Sequence, residues 1–71
     1  MKQLTAKQRA ILLYVKSATA GNGYPPSIRE LAEHFGVGGP SIHQQLGALK
    51  KKGFLTWVEN QNRTLKILKE N

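Results

Sequence analysis

The pair Pro25-Pro26, followed at once by Ser27-Ile28-Arg29-Glu30, constrains this chain more than any other stretch. Two prolines give no backbone N–H to a helix and push the residue before them toward extended backbone, so a helix arriving from the N-terminal side must end ahead of Tyr24. Ser27 and Glu30 have the spacing of a capping box, in which the hydroxyl accepts the third helical N–H and the carboxylate reaches back to the cap. A new helix therefore starts after Ser27. With only 71 residues in all, a fixed corner at this point predicts one domain over residues 1–71, built from short elements. A chain of this size buries roughly 60–65% of the surface it exposes when unfolded. The sequence has no cysteine, so no disulfide or thiolate-bound metal supplements that modest core, and a reducing compartment fits the absence.

Apolar periodicity fills in the elements. Thr5-Ala6-Lys7-Gln8 is another capping box, and Ile11, Val15 and Ala18 then recur on one helical face with Leu4 and Leu12 beside them. This predicts a helix over about 5–20, stopping before Gly21-Asn22-Gly23. Ile28, Leu31, Ala32 and Phe35 predict a second helix over 28–35, with Gly36-Val37-Gly38-Gly39 as its stop. Pro40 suits a first helical position, and Ile42, Leu46 and Leu49 mark a third helix over 40–52, closed by Gly53. Phe54–Val58 and Thr64–Leu68 read as strands around the polar turn Glu59–Arg63, giving a hairpin over about 54–58 and 64–68. The fold class is α+β, mostly α: a three-helix winged helix-turn-helix with a C-terminal two-stranded β-hairpin wing.

Eleven Lys and Arg oppose four Glu, for a net charge of +7. Such a field favours polyanions, and between His34 and Val58 the only charged side chains are Lys50, Lys51 and Lys52. The N-terminus opens on polar residues, and the longest apolar run, Ala10–Val15, is far short of the roughly 20 residues a bilayer span requires. The expectation is a soluble cytoplasmic protein, bacterial or phage, that associates with DNA and not with a membrane.

From Gly23-Tyr24-Pro25-Pro26-Ser27-Ile28-Arg29-Glu30-Leu31-Ala32 the chain closely resembles the amino-terminal DNA-binding domain of the LexA repressor family. Leu4-Thr5-Ala6-Lys7-Gln8 upstream, and Phe35-Gly36-Val37, Leu46, Leu49 and Lys52-Gly53-Phe54-Leu55 downstream, continue the likeness over essentially the whole sequence. The resemblance implies a winged helix-turn-helix that binds a palindromic operator as a dimer, with its third helix in the major groove of double-stranded DNA. Family members also carry a self-cleaving serine-lysine peptidase domain that supplies most of the dimerisation. This sequence stops at Asn71 without it, so self-cleavage is not carried over, and weak or monomeric binding is expected without a further dimerisation domain. The stretch from Gly36 to Leu46 is about one residue shorter than the family pattern, and Gly38-Gly39-Pro40 replaces a more polar turn. Both departures fall where DNA would be read, so operator identity does not transfer.

With Ile42, Leu46, Leu49 and Gly53 turned inward, an ideal helix places Pro40, Gln44, Gly47 and Lys51 outward, flanked by Ser41 and Ala48 on one edge and His43 and Lys50 on the other. Glutamine can bond adenine bidentately, serine bonds several base edges, and glycine or alanine permits close approach. Ser41, His43, Gln44, Gly47 and Ala48 are thus the base-reading candidates, with Gln44 first. A solvated polar face is the plainer alternative. Ser41-Ile42-His43-Gln44 also has capping-box spacing, which would occupy Ser41 and Gln44 with backbone. Lys50, Lys51 and Lys52 suit phosphates, as do Lys7, Arg29, Arg63 and Lys66. Arg29 has a rival partner in Glu33, one helical turn on.

Trp57, Phe54, Phe35, Tyr14 and Tyr24 are spread over helix, corner and ribbon, which predicts core and rim packing in place of a base-stacking platform. His34 and His43 lack companion ligands for a metal site, and no cofactor motif occurs. Four glutamates, with no Asp and no Cys, form no acid, base or nucleophile constellation, so catalytic function is not expected. The sequence predicts a DNA-binding transcription regulator, with a winged-helix module for protein or RNA contact as the alternative.

Overall fold

The computed structural model describes residues 4–69. Three helices, α1 (Ala6–Asn22), α2 (Ile28–Phe35) and α3 (Gly39–Lys51), are followed by strands β1 (Leu55–Thr56) and β2 (Lys66–Ile67), an antiparallel pair in the register Leu55 to Ile67 and Thr56 to Lys66. This is a winged helix-turn-helix. α3 packs against α2, β1 and α1 around Ile11, Val15, Leu31, Ile42, Leu46, Leu49 and Leu55, all fully buried.

Both capping boxes form. Thr5 Oγ1 accepts Gln8 N–H at 3.1 Å while Gln8 Oε1 accepts Thr5 N–H at 3.2 Å, and Ser27 and Glu30 exchange the same two bonds at 3.0 Å each. α1 runs two residues past the expected stop. Gly21 stays helical, and Gly23, at φ +81°, takes the left-handed cap and donates to Thr19 O at 2.9 Å. The glycine nearest the proline corner, not the first glycine met, ends the helix. α2 and α3 end alike: Gly36 and Gly53 turn left-handed, and the following Val37 and Phe54 donate to Ala32 O and Leu49 O, each at 3.0 Å, before packing on or in the core. The α2–α3 turn is held by this backbone motif with an apolar anchor.

α3 begins one residue earlier than expected. Gly38 is its N-cap with no side-chain hydrogen bond, so Ser41 lies within the first turn and the Ser41–Gln44 capping box does not form. The strands are shorter than 54–58 and 64–68. Beyond Thr56 the Thr64 hydroxyl substitutes for the ladder, accepting Val58 N–H at 2.9 Å and donating toward Val58 O at 3.2 Å. At the other end Phe54 O accepts from Leu68 and Lys69 N–H.

The wing is fastened to the proline corner by a long-range ion pair. Arg63 meets both carboxylate oxygens of Glu30 at 2.9 Å, reaches Pro25 O at 3.4 Å and lies 4.9 Å over the Tyr24 ring. Arg63 itself sits at φ 58°, a left-handed conformation that a non-glycine residue seldom adopts without support. Arg63's hydrogen bonds, then Ser27 N–H, hold the Glu30 carboxyl below its usual 4.5. A carboxyl depressed on folding contributes its full stability above the unfolded value and loses it as pH falls through the folded one. Protection factors of the amides across residues 57–65, taken relative to the intrinsic exchange rate at each pH, should therefore fall as the solution is acidified below about 4.5, and Glu30→Gln should show lower protection at neutral pH and lose this part of the acid dependence.

Candidate nucleic-acid interface

The inward stripe of α3 fixes what the helix shows outside. With Ile42, Leu46 and Leu49 wholly buried, Pro40, Ser41, Gln44 and Lys51 are exposed, and Gly47 and Ala48 are half-exposed between them. The structure thus brings Ser41, Gln44, Gly47, Ala48 and Lys51 onto one open surface. Among the described residues, neither the Ser41 hydroxyl nor the Gln44 amide has a hydrogen-bond partner within the chain. An added Cβ at Gly47 would meet nothing within 4 Å. Packing therefore gives no reason for a glycine in the middle of this helix.

One flank of that surface turns toward the wing. His43 stands edge-on to Trp57, with centroids 5.5 Å apart, and its Nε2 is 3.9 Å from Glu59 Oε1. Lys50 Nζ lies 4.7 Å over the same indole. Trp57 is buried, with no hydrogen-bond partner for its Nε1. His43 and Lys50 keep exposed side chains but lean on the ribbon.

The other flank meets the start of α1. Gln8, the one buried polar residue among those described, donates from Nε2 to Gln45 Oε1 at 3.3 Å and accepts Lys52 Nζ at Oε1 at 2.8 Å. Lys52 thus holds α1 to α3, while Lys50 and Lys51 remain exposed in the last turn, where cations suit the helix dipole. Lys7 is exposed in the first turn of α1, adjoining this junction. Arg29 is exposed in the first turn of α2, makes no ion pair with Glu33 and lines a groove of about 280 Å³ with Trp57 and the ribbon residues 58–65. Lys66 lies on the outer face of β2.

Of the cations in the sequence reading, Arg63 and Lys52 have partners within the chain, and both partners were missed. Glu30 and Gln8 read only as capping residues, and nothing local in the sequence points to Arg63, 33 positions on, or to Gln45, 37 positions on. Gln45 is not among the base-reading candidates that the helical spacing names. Tyr14 stacks on His34 at 3.9 Å and meets Phe35 edge-on. No group of three metal-capable side chains occurs among the described residues. No helix among them is long and apolar enough to cross a membrane.

A short second helix, a glycine turn and a third helix with an open polar face, backed by a ribbon, define the class of winged helix-turn-helix domains. Residues 1–64 match the family described as the LexA DNA binding domain, and the chain belongs to that family. It is 38% identical over 71 residues to a LexA repressor of Leptospira biflexa, covering 100% of this chain and 35% of that protein. A LexA repressor of Thermotoga maritima is 41% identical over 69 residues, covering 97% of this chain and 35% of its own length. The chain spans about 35% of the length of these relatives.

An unpacked helical glycine is a stability cost of about 1 kcal/mol relative to alanine. Gly47→Ala should raise the unfolding free energy by up to about that amount in urea titration, and a loss of stability would show that the site is tighter than its open surroundings indicate.

Proposed function

We propose that this chain binds double-stranded DNA sequence-specifically as the recognition domain of a LexA-type transcription repressor, with α3 in the major groove. The observation that carries the reading is the open α3 face on which Gln44 and Ser41 have no partners and Gly47 has no packing role. Amide and hydroxyl groups read base edges, and a helical position without a side chain lets a backbone approach them closely. Lys50 and Lys51 at the end of α3, Lys7 on α1, Arg29 on α2 and Lys66 on the wing are the phosphate contacts of this arrangement, because flexible or forked cations add affinity with little base information. His43 and Ala48 border the reading surface on opposite edges.

Family membership supports the same reading, since the relatives are named repressors. Two copies on a palindrome would engage both half-sites at once and gain affinity that one domain lacks. A protein-docking module would be expected to gather its exposed apolar groups, whereas Leu13, Tyr24, Val58 and Leu68 lie on separate segments.

Duplexes selected from a random pool supply the test. Gln44→Ala should cost about 1–3 kcal/mol at one base pair and relax selection there, while Gly47→Ala should weaken the selected duplex. Lys51→Ala should weaken all duplexes alike and reduce the magnitude of the salt slope of log K by about 0.9. Arg63→Ala, by contrast, should leave that slope nearly unchanged, because its guanidinium is engaged with Glu30. Unaltered affinity in both Gln44→Ala and Lys51→Ala would remove α3 from the interface.

A further inference from the structure

We infer that Gln45 is a second duplex-reading residue, whose amide is locked as a hydrogen-bond donor by a relay of polarity that starts at Thr5 and Lys52 and passes through Gln8. The inference rests on the reading of α3 as the DNA-facing helix.

A glutamine amide ordinarily turns over to suit its partner, offering oxygen to a donor or NH2 to an acceptor. Gln8 lacks that choice. Its Oε1 faces the backbone N–H of Thr5 at 3.2 Å and the Lys52 ammonium at 2.8 Å, and both groups can only donate. Reversing the amide would set its NH2 against two donors at a residue only 7% exposed, leaving buried groups unsatisfied. Gln8 Nε2 must therefore point to Gln45, where it donates to Oε1 at 3.3 Å. The same logic then applies to Gln45. Its oxygen is committed to Gln8, and its NH2 is left to point elsewhere, with no acceptor among the described residues.

The position of Gln45 gives that NH2 a destination. Gln45 is half-buried and lies on the α1-facing flank of α3, one turn after Ser41 and one turn before Ala48 and Leu49. A duplex touching Ser41 and Ala48 meets Gln45 at the seam with α1. Gln44, by contrast, is exposed and unbonded, and can present either polarity. Two adjacent glutamines thus have different characters: one adapts to its base pair and the other demands an acceptor, either a phosphate oxygen or, in the major groove, purine N7, guanine O6 or thymine O4. Holding Gln45 in place beforehand also reduces the side-chain freedom lost on binding.

Gln8→Glu tests the relay. A glutamate completes the Thr5 capping box and pairs with Lys52, but has no hydrogen to give, so Gln45 must turn its NH2 inward and its oxygen outward. If Gln45 reads a base, the preference at one operator position should shift toward the bases that offer a donor, adenine through its N6 amino group or cytosine through its N4 amino group, in duplexes selected by the variant. If it meets a phosphate, the selected sequence should stay the same while affinity for every duplex falls roughly tenfold. Gln45→Met, which adds no charge, should give the same loss without the change of preference. The 15N-edited side-chain NH2 signal of Gln45 in the unaltered protein should shift when the selected duplex is added. Both variants binding with unchanged affinity and preference, or a Gln45 signal that does not move on a bound duplex, would overturn the inference while leaving the major-groove reading intact. Failure of the unaltered chain to retain any duplex would remove both.

Discussion

Ile42, Leu46 and Leu49 are completely buried, and the rest of the structure is arranged around that stripe. A helix of thirteen residues is marginal in water by itself, because nucleation fixes several residues for one hydrogen bond. α3 persists because α2, β1 and the start of α1 cover its apolar side. Truncating any of the three would remove buried carbon and leave a cavity, a change that costs about 2–5 kcal/mol in well-packed cores. The same burial sets the rotation of α3 about its own axis. Gln45 and Lys52 tie one flank to Gln8, His43 and Lys50 hold the other against Trp57, and the face between them has only one direction in which to point.

Net charge alone exaggerates how much positive charge is available to a partner. Arg63 is engaged with Glu30 by two hydrogen bonds of 2.9 Å, and Lys52 with Gln8 at 2.8 Å. These cations fasten elements separated by long stretches of chain, a task for which reach matters as much as charge. Lys50 has a mixed role, since its ammonium lies over an indole whose π face attracts it while the side chain stays exposed. Lys51 is the cation of the α3 terminus that faces away from both flanks. The basic character that marks the sequence thus divides between holding the wing and corner together and presenting charge outward.

The helices were legible because their information is local. Thr5/Gln8 and Ser27/Glu30 announce two helix starts within four residues each, and the spacing of Ile42, Leu46 and Leu49 is enough to name the outward residues of α3. Errors arose where several residues of one kind compete. The stop expected ahead of Gly21 falls two residues later, because of the two glycines it is Gly23, beside the proline corner, that takes the left-handed position. Ser41 could have capped a helix that in fact begins at Gly39. The wing ladder is short because a single hydroxyl, that of Thr64, takes over hydrogen bonds that a strand pattern assigns to backbone. What could not be read were the contacts made when the ribbon and α1 close on the bundle: Glu30 with Arg63 and Gln8 with Gln45 depend on three-dimensional approach, and each residue already had a sufficient local explanation as a cap.

The three helix starts differ in a way that bears on where a partner can sit. α1 and α2 satisfy their first N–H groups with complete capping boxes, and α2 adds Glu30 to its first turn. α3 has a glycine cap without a side-chain bond, a proline in its first turn and no acidic residue there. Free helical N–H groups carry partial positive charge and must find acceptors in solvent or in a ligand. Gly38, Gly39, Pro40 and Ser41 are all exposed, so that end of α3 is the one helix start in the described chain left unfilled by its own side chains. It adjoins the same face on which Gly47 forgoes helix stability without gaining packing. Two departures from what would best stabilise an isolated helix, one at its start and one in its middle, fall on one surface, and both suit the polyanion proposed to lie along it.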